Sequence, residues 1–338
     1  MAEPSTRAAT ELAAGAHTCS DVTEPEPTQR RPWPNRVPAE TIITMAKTSA
    51  KDTKAARPRD IRISDRLRLP AGPVDLSAID TGATPGFKGS KSDGKAALDL
   101  LGPRLADLQE RLFAEGRSGG KRSLLLVLQG MDTSGKGGTV RHVVGEVDPQ
   151  GVSITSFKAP TKDELAHDFL WRIKARLPAP GMIGVFDRSH YEDVVVVRVR
   201  NLVEPRTWKR RYATINRFEE GLVARGTTVV KCFLHISKAE SRDRLLARLD
   251  KPDKLWKFNP GDVDSRAEWD PLLEAYSDAL ERCTTEAAPW HLVPADRKWY
   301  RNWAIMNILV EQLEAMAVSW PPAEYDVAEQ RARLLAGG

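Results

Sequence analysis

Two acids, a lysine and an arginine stand at the most distinctive spacings in this chain. Asp132 and Lys136 lie in LLLVLQGMDTSGKGGTV, and Asp187 with Arg188 in GMIGVFDRSHYEDVVVVRVR. Gly130, four residues, then Gly135-Lys136 is the spacing of a Walker A loop, whose glycines let backbone N–H groups turn inward onto phosphate oxygens. A helix starting at the lysine adds its positive N-terminal end. Gly130, Ser134, Gly135, Gly137, Gly138 and Thr139 are therefore candidate phosphate-binding positions, with Lys136 as the point charge on the transferred group. The usual loop has Ser or Thr after the lysine to help hold Mg²⁺, and here Gly137 takes that place. Asp132 offers the oxygen that a hard cation prefers; the plainer alternative is a turn residue capping local N–H groups.

Asp187 closes an apolar strand and Arg188 follows at once. In a doubly wound sheet ligands bind beyond the carboxyl ends of the strands, so an acid there meets a metal and an arginine clamps phosphate. A buried Asp-Arg pair that only fixes the loop is the plainer alternative. The stretch RLLARLDKPDKLWKFNPGDVD carries Arg244, Arg248, Lys251, Lys254 and Lys257 among two prolines and a glycine. It reads as a mobile lid over about 250–265 that brings positive charge onto phosphates, or else as a solvated charged face. Arg206, Lys209, Arg210 and Arg211 either extend a basic track or form another solvated face. His142, His167, His190, His235 and His291 are scattered and form no dyad, but attack by an ionised phosphate oxygen needs little acid–base help.

Alternating elements must position these groups. Apolar runs predict strands at Ser123–Gln129, Val152–Phe157, Met182–Phe186, Val229–His235 and Trp290–Pro294. Helical patterns fall between them: about Thr139–Glu146, Lys162–Arg176, Pro205–Arg225, Lys238–Leu249, Arg266–Glu286 and Trp299–Val318. Strands alternating with helices mean parallel strands joined by right-handed crossovers. Ahead of them Leu98, Leu101, Leu105, Leu108 and Leu112 recur as the core stripe of an amphipathic helix that Pro103 bends. Eight of nine tryptophans lie from Trp171 onward among apolar positions, as core rather than base-stacking platforms.

Composition sets the frame. Of 338 residues, 41% are apolar, enough for a core, and Lys and Arg exceed Asp and Glu by 51 to 46, a net +5 that suits an anionic substrate without requiring one. Cys19, Cys232 and Cys283 lie far apart, without the spacing of a disulfide framework or a zinc site. No run of eighteen apolar residues and no cationic start before an apolar block occurs, so neither a membrane span nor a secretory signal is expected, and the expected location is the cytoplasm. Residues 1–60 have the composition of a disordered N-terminal extension, with Met45 as an alternative start. An irregular arm is expected over 61–93, a single α/β domain over 94–320 and a C-terminal tail over 321–338.

With LQGMDTSGKGGT, SFKAPTKDELAHDFLWR, FDRSHYEDVVVVRV, FLHIS, LDKPDKLWKF and APWHLVPADRKWYRNWAI in order from about Asp93 to Trp320, the chain resembles the polyphosphate kinase type 2 family. The resemblance implies an α/β P-loop kinase similar to thymidylate kinase: a parallel five-stranded sheet with helices on both faces and a helical lid. It implies Mg²⁺ dependence, with Mn²⁺ as an alternative ion. The implied activity is reversible phosphate transfer between inorganic polyphosphate and an adenine or guanine nucleoside mono- or diphosphate, with AMP and ADP as the expected acceptors. By resemblance Asp132 and Asp187 handle the metal, Lys136 and Arg188 bind the phosphates, and Arg248 with Lys251 acts from the lid. Lys254 and Lys257 join them only by position in the lid block. The family loop likewise has an internal acid and lacks the hydroxyl after lysine, so Gly137 is a family feature. The block RSHYEDVVVVRV looks like members able to use monophosphates. A homo-oligomer, dimer or tetramer, is implied, and neither nucleic acid nor membrane is an expected partner. The competing readings are an ATP-dependent nucleotide or nucleoside kinase on the same fold and a non-catalytic polyanion binder.

Overall fold

Ser123–Gln129 (β1) is buried along its whole length, as a strand covered on both faces must be. Successive side chains divide between two cores: Leu124, Leu126 and Leu128 join one, Leu125 and Val127 the other. The computed structural model describes residues 61–337; the expected extension 1–60, with Met45 and Cys19, lies outside them. β2 (Val152–Ser156), β3 (Ile183–Asp187), β4 (Thr227–His235) and β5 (Trp290–Pro294) complete a five-stranded sheet in the order β2-β3-β1-β4-β5. Every pairing is parallel, so all strands end on one edge of the sheet. Leu128 pairs with Asp187, which sets the acid of β3 beside the loop that leaves β1.

Helices lie on both faces, as the α/β expectation requires. The arm carries a short helix, α1 (Ile63–Leu67), whose first amides, those of Ile63 and Ser64, donate to the Glu311 carboxylate at 2.8 Å each. α2 (Lys91–Arg117) opens with a capping box between Ser90 and Asp93 and continues through Pro103. Its Leu105, Leu108 and Leu112 are buried, each contributing roughly 1.5–3 kcal/mol of burial free energy. α3 (Lys136–His142) starts at the loop lysine.

The helix expected over Lys162–Arg176 is instead two short pieces, α4 (Lys162–Leu165) and α5 (Trp171–Lys174). Asp168 Oδ1 accepts from the Leu170 amide at 3.0 Å, a local turn that competes with helix continuation. α6 (Val196–Val199) and α7 (Pro205–Ala224) follow, and α8 (Lys238–Leu249) begins at Ser237, whose hydroxyl accepts from the Glu240 amide. The stretch expected as one helix from Arg266 is divided between α9 (Gly261–Ala267) and α10 (Trp269–Arg282). α11 (Lys298–Ala315) packs with α2 over the first core, and α7 and α10 cover the second. α12 (Val327–Ala336), in the stretch expected as a tail, has no buried residue.

The tryptophans do not all enter the core as expected. Trp269, Trp290 and Trp303 are buried, whereas Trp171, Trp256 and Trp320 are exposed. Trp256 belongs to the stretch between α8 and α9, away from both sheet faces, and its indole donates to the Asp253 carbonyl at 3.0 Å. Cys232 and Cys283 are buried free thiols. Among the described residues no helix is long and apolar enough to cross a membrane.

Candidate active site

The turn from β1 into α3 demands its glycines. Gly130 and Gly135 have φ of 146° and 108°, outside the comfortable range of L residues. Thr133, at φ 67°, adopts the left-handed region without being glycine. Lys136 stands in the first turn of α3, and its ammonium donates back to the carbonyls of Gly130 (2.9 Å) and Met131 (3.2 Å). The Ser134 hydroxyl is buried without a partner, and Thr139 is buried with its hydroxyl on the Gly135 carbonyl. Gly137 is exposed, with open space where a side chain would begin.

The expected acids and cations converge. Arg188 Nη2 donates to Asp132 Oδ1 at 2.6 Å, and Asp187 Oδ2 accepts from the Ser156 hydroxyl at 3.2 Å. Arg188 itself is held at φ 65°. Burial would raise the Asp132 carboxyl, but Lys136 and Arg188, with Arg248, pull it below the usual range. Burial and the Arg188 charge lower the Lys136 ammonium, against the pull of Asp132, Asp187 and Glu192. The Arg188 guanidinium, despite burial, is held above its ordinary value by Glu192 and Asp132. Glu192, absent from the sequence-based candidates, joins this cluster: burial raises its carboxyl while Arg188 and Lys136 oppose the rise.

Beside these groups opens a cleft of about 700 Å³, lined by Asp132, Arg188 and Glu192 at one end. Phe157, Arg172 and Arg211 line it too, and Asn259, Asp262 and Arg266 contribute from α9 and the residues just before it. Arg172 lies over the Phe157 ring and donates to the Lys158 carbonyl at 2.8 Å. Arg211, the member of its basic cluster that turns inward, donates to the Asp193 carbonyl at 2.9 Å, while Arg206, Lys209 and Arg210 are exposed. Burial raises the Asp193 carboxyl against the pull of Arg211 and Arg172.

The cations expected to act from a lid part company. Arg248 is half-buried, donates to Asp262 Oδ2 and the Lys257 carbonyl at 3.1 Å each, and its charge acts on Asp132. Lys251 and Lys257 are exposed and Lys254 is half-buried, and none of them lines the cleft. Arg244, expected to bring charge over the phosphates, is instead buried with its N–H groups bonded within the protein. Glu192, Arg172 and Asp262 were not among the sequence-based candidates, although Glu192 had one signal, its place five residues after Asp187.

Among the described residues no group of three or more His, Cys, Asp or Glu side chains is arranged to hold a metal. Mg²⁺ asks for less, since it keeps waters and is bound by one or two carboxylates together with substrate phosphates. Two hard carboxylates, one of them held ionised by its neighbours, fit that requirement, and the open space at Gly137 leaves room for phosphate or water.

Residues 88–321 match the model of the family described as Polyphosphate kinase 2 (PPK2). The chain belongs to the polyphosphate kinase 2 family. It is 48% identical over 255 residues to the AMP/ADP-polyphosphate phosphotransferase of Meiothermus ruber, covering 75% of this chain and 94% of that protein. An ADP-polyphosphate phosphotransferase from Rhodopseudomonas palustris is 40% identical over 260 residues, with 73% and 88% covered. The crystal structure of Polyphosphate Kinase 2 from Arthrobacter aurescens TC1 superposes with a TM-score of 0.79 at 52% identity, covering 81% of this chain and 97% of that one. Membership of the polyphosphate kinase 2 family makes the chain a phosphotransferase on a P-loop kinase fold.

Proposed function

We propose that the cleft moves phosphate, in either direction, between inorganic polyphosphate and a nucleoside mono- or diphosphate, with AMP and ADP as acceptors and Mg²⁺ or Mn²⁺ as the ion. The observation that carries this reading is the convergence of Asp132, Lys136, Asp187 and Arg188 where β1 and β3 end, beside one cleft. Family membership and the acceptors in the relatives' names support it.

A terminal phosphate oxygen of the nucleotide, already ionised, attacks the end phosphorus of the polyphosphate. The P–O bond to the next phosphate breaks, and a chain shorter by one unit leaves as the anion, so no general base is needed. Lys136 exchanges its bonds to the Gly130 and Met131 carbonyls for phosphate oxygens. Arg188 releases Asp132 and takes phosphate in its place, and the loop amides from Gly135 to Gly138 hold the end of the chain. A bound divalent ion, held by Asp132 and Asp187 directly or through water, would offset the phosphate charge. Arg172 and Arg211, with Phe157, line the part of the cleft that takes the acceptor nucleotide. Arg248 and Lys251, with Lys254 and Lys257, reach the phosphates as the lid closes. Action as a homo-oligomer, dimer or tetramer, in the cytoplasm completes the reading.

The test is turnover of purified protein with long-chain polyphosphate and a divalent ion, with AMP and ADP offered separately and products separated by chromatography. ADP from AMP, or ATP from ADP, lost on adding a chelator, supports the reading. Turnover with ATP as the sole donor supports a nucleotide kinase, and binding of polyphosphate without turnover supports a polyanion binder.

A further inference from the structure

Arg244 spends every N–H it has inside the protein. An arginine offers five donors, and here Nε bonds Glu240 (2.8 Å), Nη1 bonds the carbonyls of Thr133 (2.8 Å) and Ser134 (3.1 Å), and Nη2 bonds the carbonyls of Ala295 (2.7 Å) and Asp296 (2.9 Å). It therefore has nothing left for phosphate. One side chain on α8 ties the phosphate loop to the end of β5. Arg301, on α11, reaches the same loop: Nη1 donates to the Ser134 carbonyl at 3.3 Å, and Nε and Nη2 donate to Asn302 Oδ1 at 3.1 and 2.7 Å. It packs so closely that a Cβ on Gly135 would fall 1.6 Å from Nη1 and one on Gly138 2.9 Å from Nη2.

The bonds bear on the loop's ligand-binding face. A peptide unit is planar and trans, so a carbonyl pulled to one side sends the following N–H to the other. Holding the Ser134 carbonyl outward turns the Gly135 amide inward, while holding the Thr133 carbonyl fixes the Ser134 amide on the Met131 carbonyl at 3.1 Å, which closes the loop on itself. The same bonds hold Thr133 at φ 67°, a strained conformation for a β-branched residue that needs outside support.

We propose that Arg244 and Arg301 are positioning residues that hold the phosphate loop in its anion-binding shape before polyphosphate arrives, acting from the side the ligand never touches. The polyphosphate part rests on the function proposed above; the order of the empty loop does not. Arg301 also leaves positive charge beside the loop, since no carboxylate bonds it, although burial and the neighbouring Arg244 lower it to about 9.

The experiment is amide hydrogen exchange on the ligand-free protein, read on peptides spanning 130–139, for wild type, Arg244→Lys and Arg301→Lys, with kcat/KM for polyphosphate measured in parallel. Lysine keeps the charge but cannot span the carbonyls. The expected result is exchange at least about tenfold faster in the loop and unchanged in β1 and β3, with kcat/KM lower by about 100-fold. Unchanged loop exchange, or an equal rise across β1 and β3, overturns the proposal. If Arg244→Lys does not fold, Arg301→Lys decides by the same reading. If wild type fails to use polyphosphate while the loop exchange changes as expected, the brace stands and the donor reading falls.

Discussion

Arg188 and Asp132 join the end of β3 to the phosphate loop through a 2.6 Å hydrogen bond from Nη2 to Oδ1. Under the proposed function Arg188 serves phosphate and Asp132 the metal, and in the ligand-free protein one N–H of the arginine and one oxygen of the acid are engaged with each other instead. Binding must break the pair, which makes its two members act as one unit. Asp132→Asn and Arg188→Ala are each expected to lower kcat/KM for polyphosphate by about 100-fold or more, and the double variant by clearly less than the product of the two losses. Steady-state kinetics on the four proteins, with circular dichroism to confirm the fold, decides it; fully multiplicative losses contradict the coupling.

The two glycines flanking Lys136 predict opposite outcomes. A Cβ at Gly137 meets nothing within 4 Å, so Gly137→Ser restores the hydroxyl of the usual loop at little cost, with a melting temperature within about 2–4 °C of wild type. A Cβ at Gly135 lands 1.6 Å from Arg301 Nη1 at a φ of 108°, so Gly135→Ala is expected to melt well below that range or to lose binding of inorganic tripolyphosphate. Thermal melts and calorimetric titration test both; a Gly135→Ala variant identical to wild type would falsify the account of the loop.

Behind the site, Lys231 and Glu219 form a fully buried pair at 2.6 Å, with Lys231 also donating to Tyr191 and to the Cys283 carbonyl, and His190 3.1 Å from Glu219. Burial would raise Glu219, but Lys231 and His190 hold its carboxyl below the usual range. Lys231→Met strands that carboxylate and is expected to cost about 3–5 kcal/mol, whereas Lys231→Met with Glu219→Leu recovers part of the loss. Urea denaturation of the three variants gives the comparison, and a double variant less stable than Lys231→Met counts against it.

Burial, with the positive charges of Arg68 and Lys231, depresses His291 to about 4 from an ordinary 6.5. Between those values the unfolded chain takes up a proton that the folded one refuses. Stability from this group is thus complete above pH 6.5 and falls as the pH drops toward 4, by about 3 kcal/mol in all. His291→Asn keeps a donor for the Lys231 carbonyl, which His291 Nδ1 meets at 3.1 Å, and removes the titration. Denaturation midpoints at pH 7 and pH 4.5 should therefore differ less in the variant; an equal difference removes His291 from the acid response.

The sequence made the strands legible because a sheet covered on both faces leaves little room for polar residues, as SLLLVLQ shows. Gly130, Gly135 and Lys136 were legible because a phosphate loop fixes their spacing, Asp132 because it is an acid inside that loop, and Asp187 and Arg188 because they stand where a strand ends. Helix breaks were not, since the Asp168 turn is a single side-chain bond that apolar periodicity does not register. Arg301 lies within WYRNWAIM and Arg244 within a charged run, and neither context reveals a guanidinium aimed at loop carbonyls 167 and 111 residues away in sequence. Glu192 enters the site only through the fold of the turn after β3.

The most direct measurement follows the phosphorus itself. Uniformly ³²P-labelled long-chain polyphosphate is incubated with the protein, a divalent ion and unlabelled AMP or ADP, with unlabelled ATP added to AMP in a parallel incubation, and the nucleotides are separated. The account predicts label in the newly added terminal phosphate of the product, dependent on the ion and absent in Asp132→Asn. Label that stays in polyphosphate while unlabelled ATP phosphorylates AMP would contradict the account and make the protein an ATP-dependent kinase.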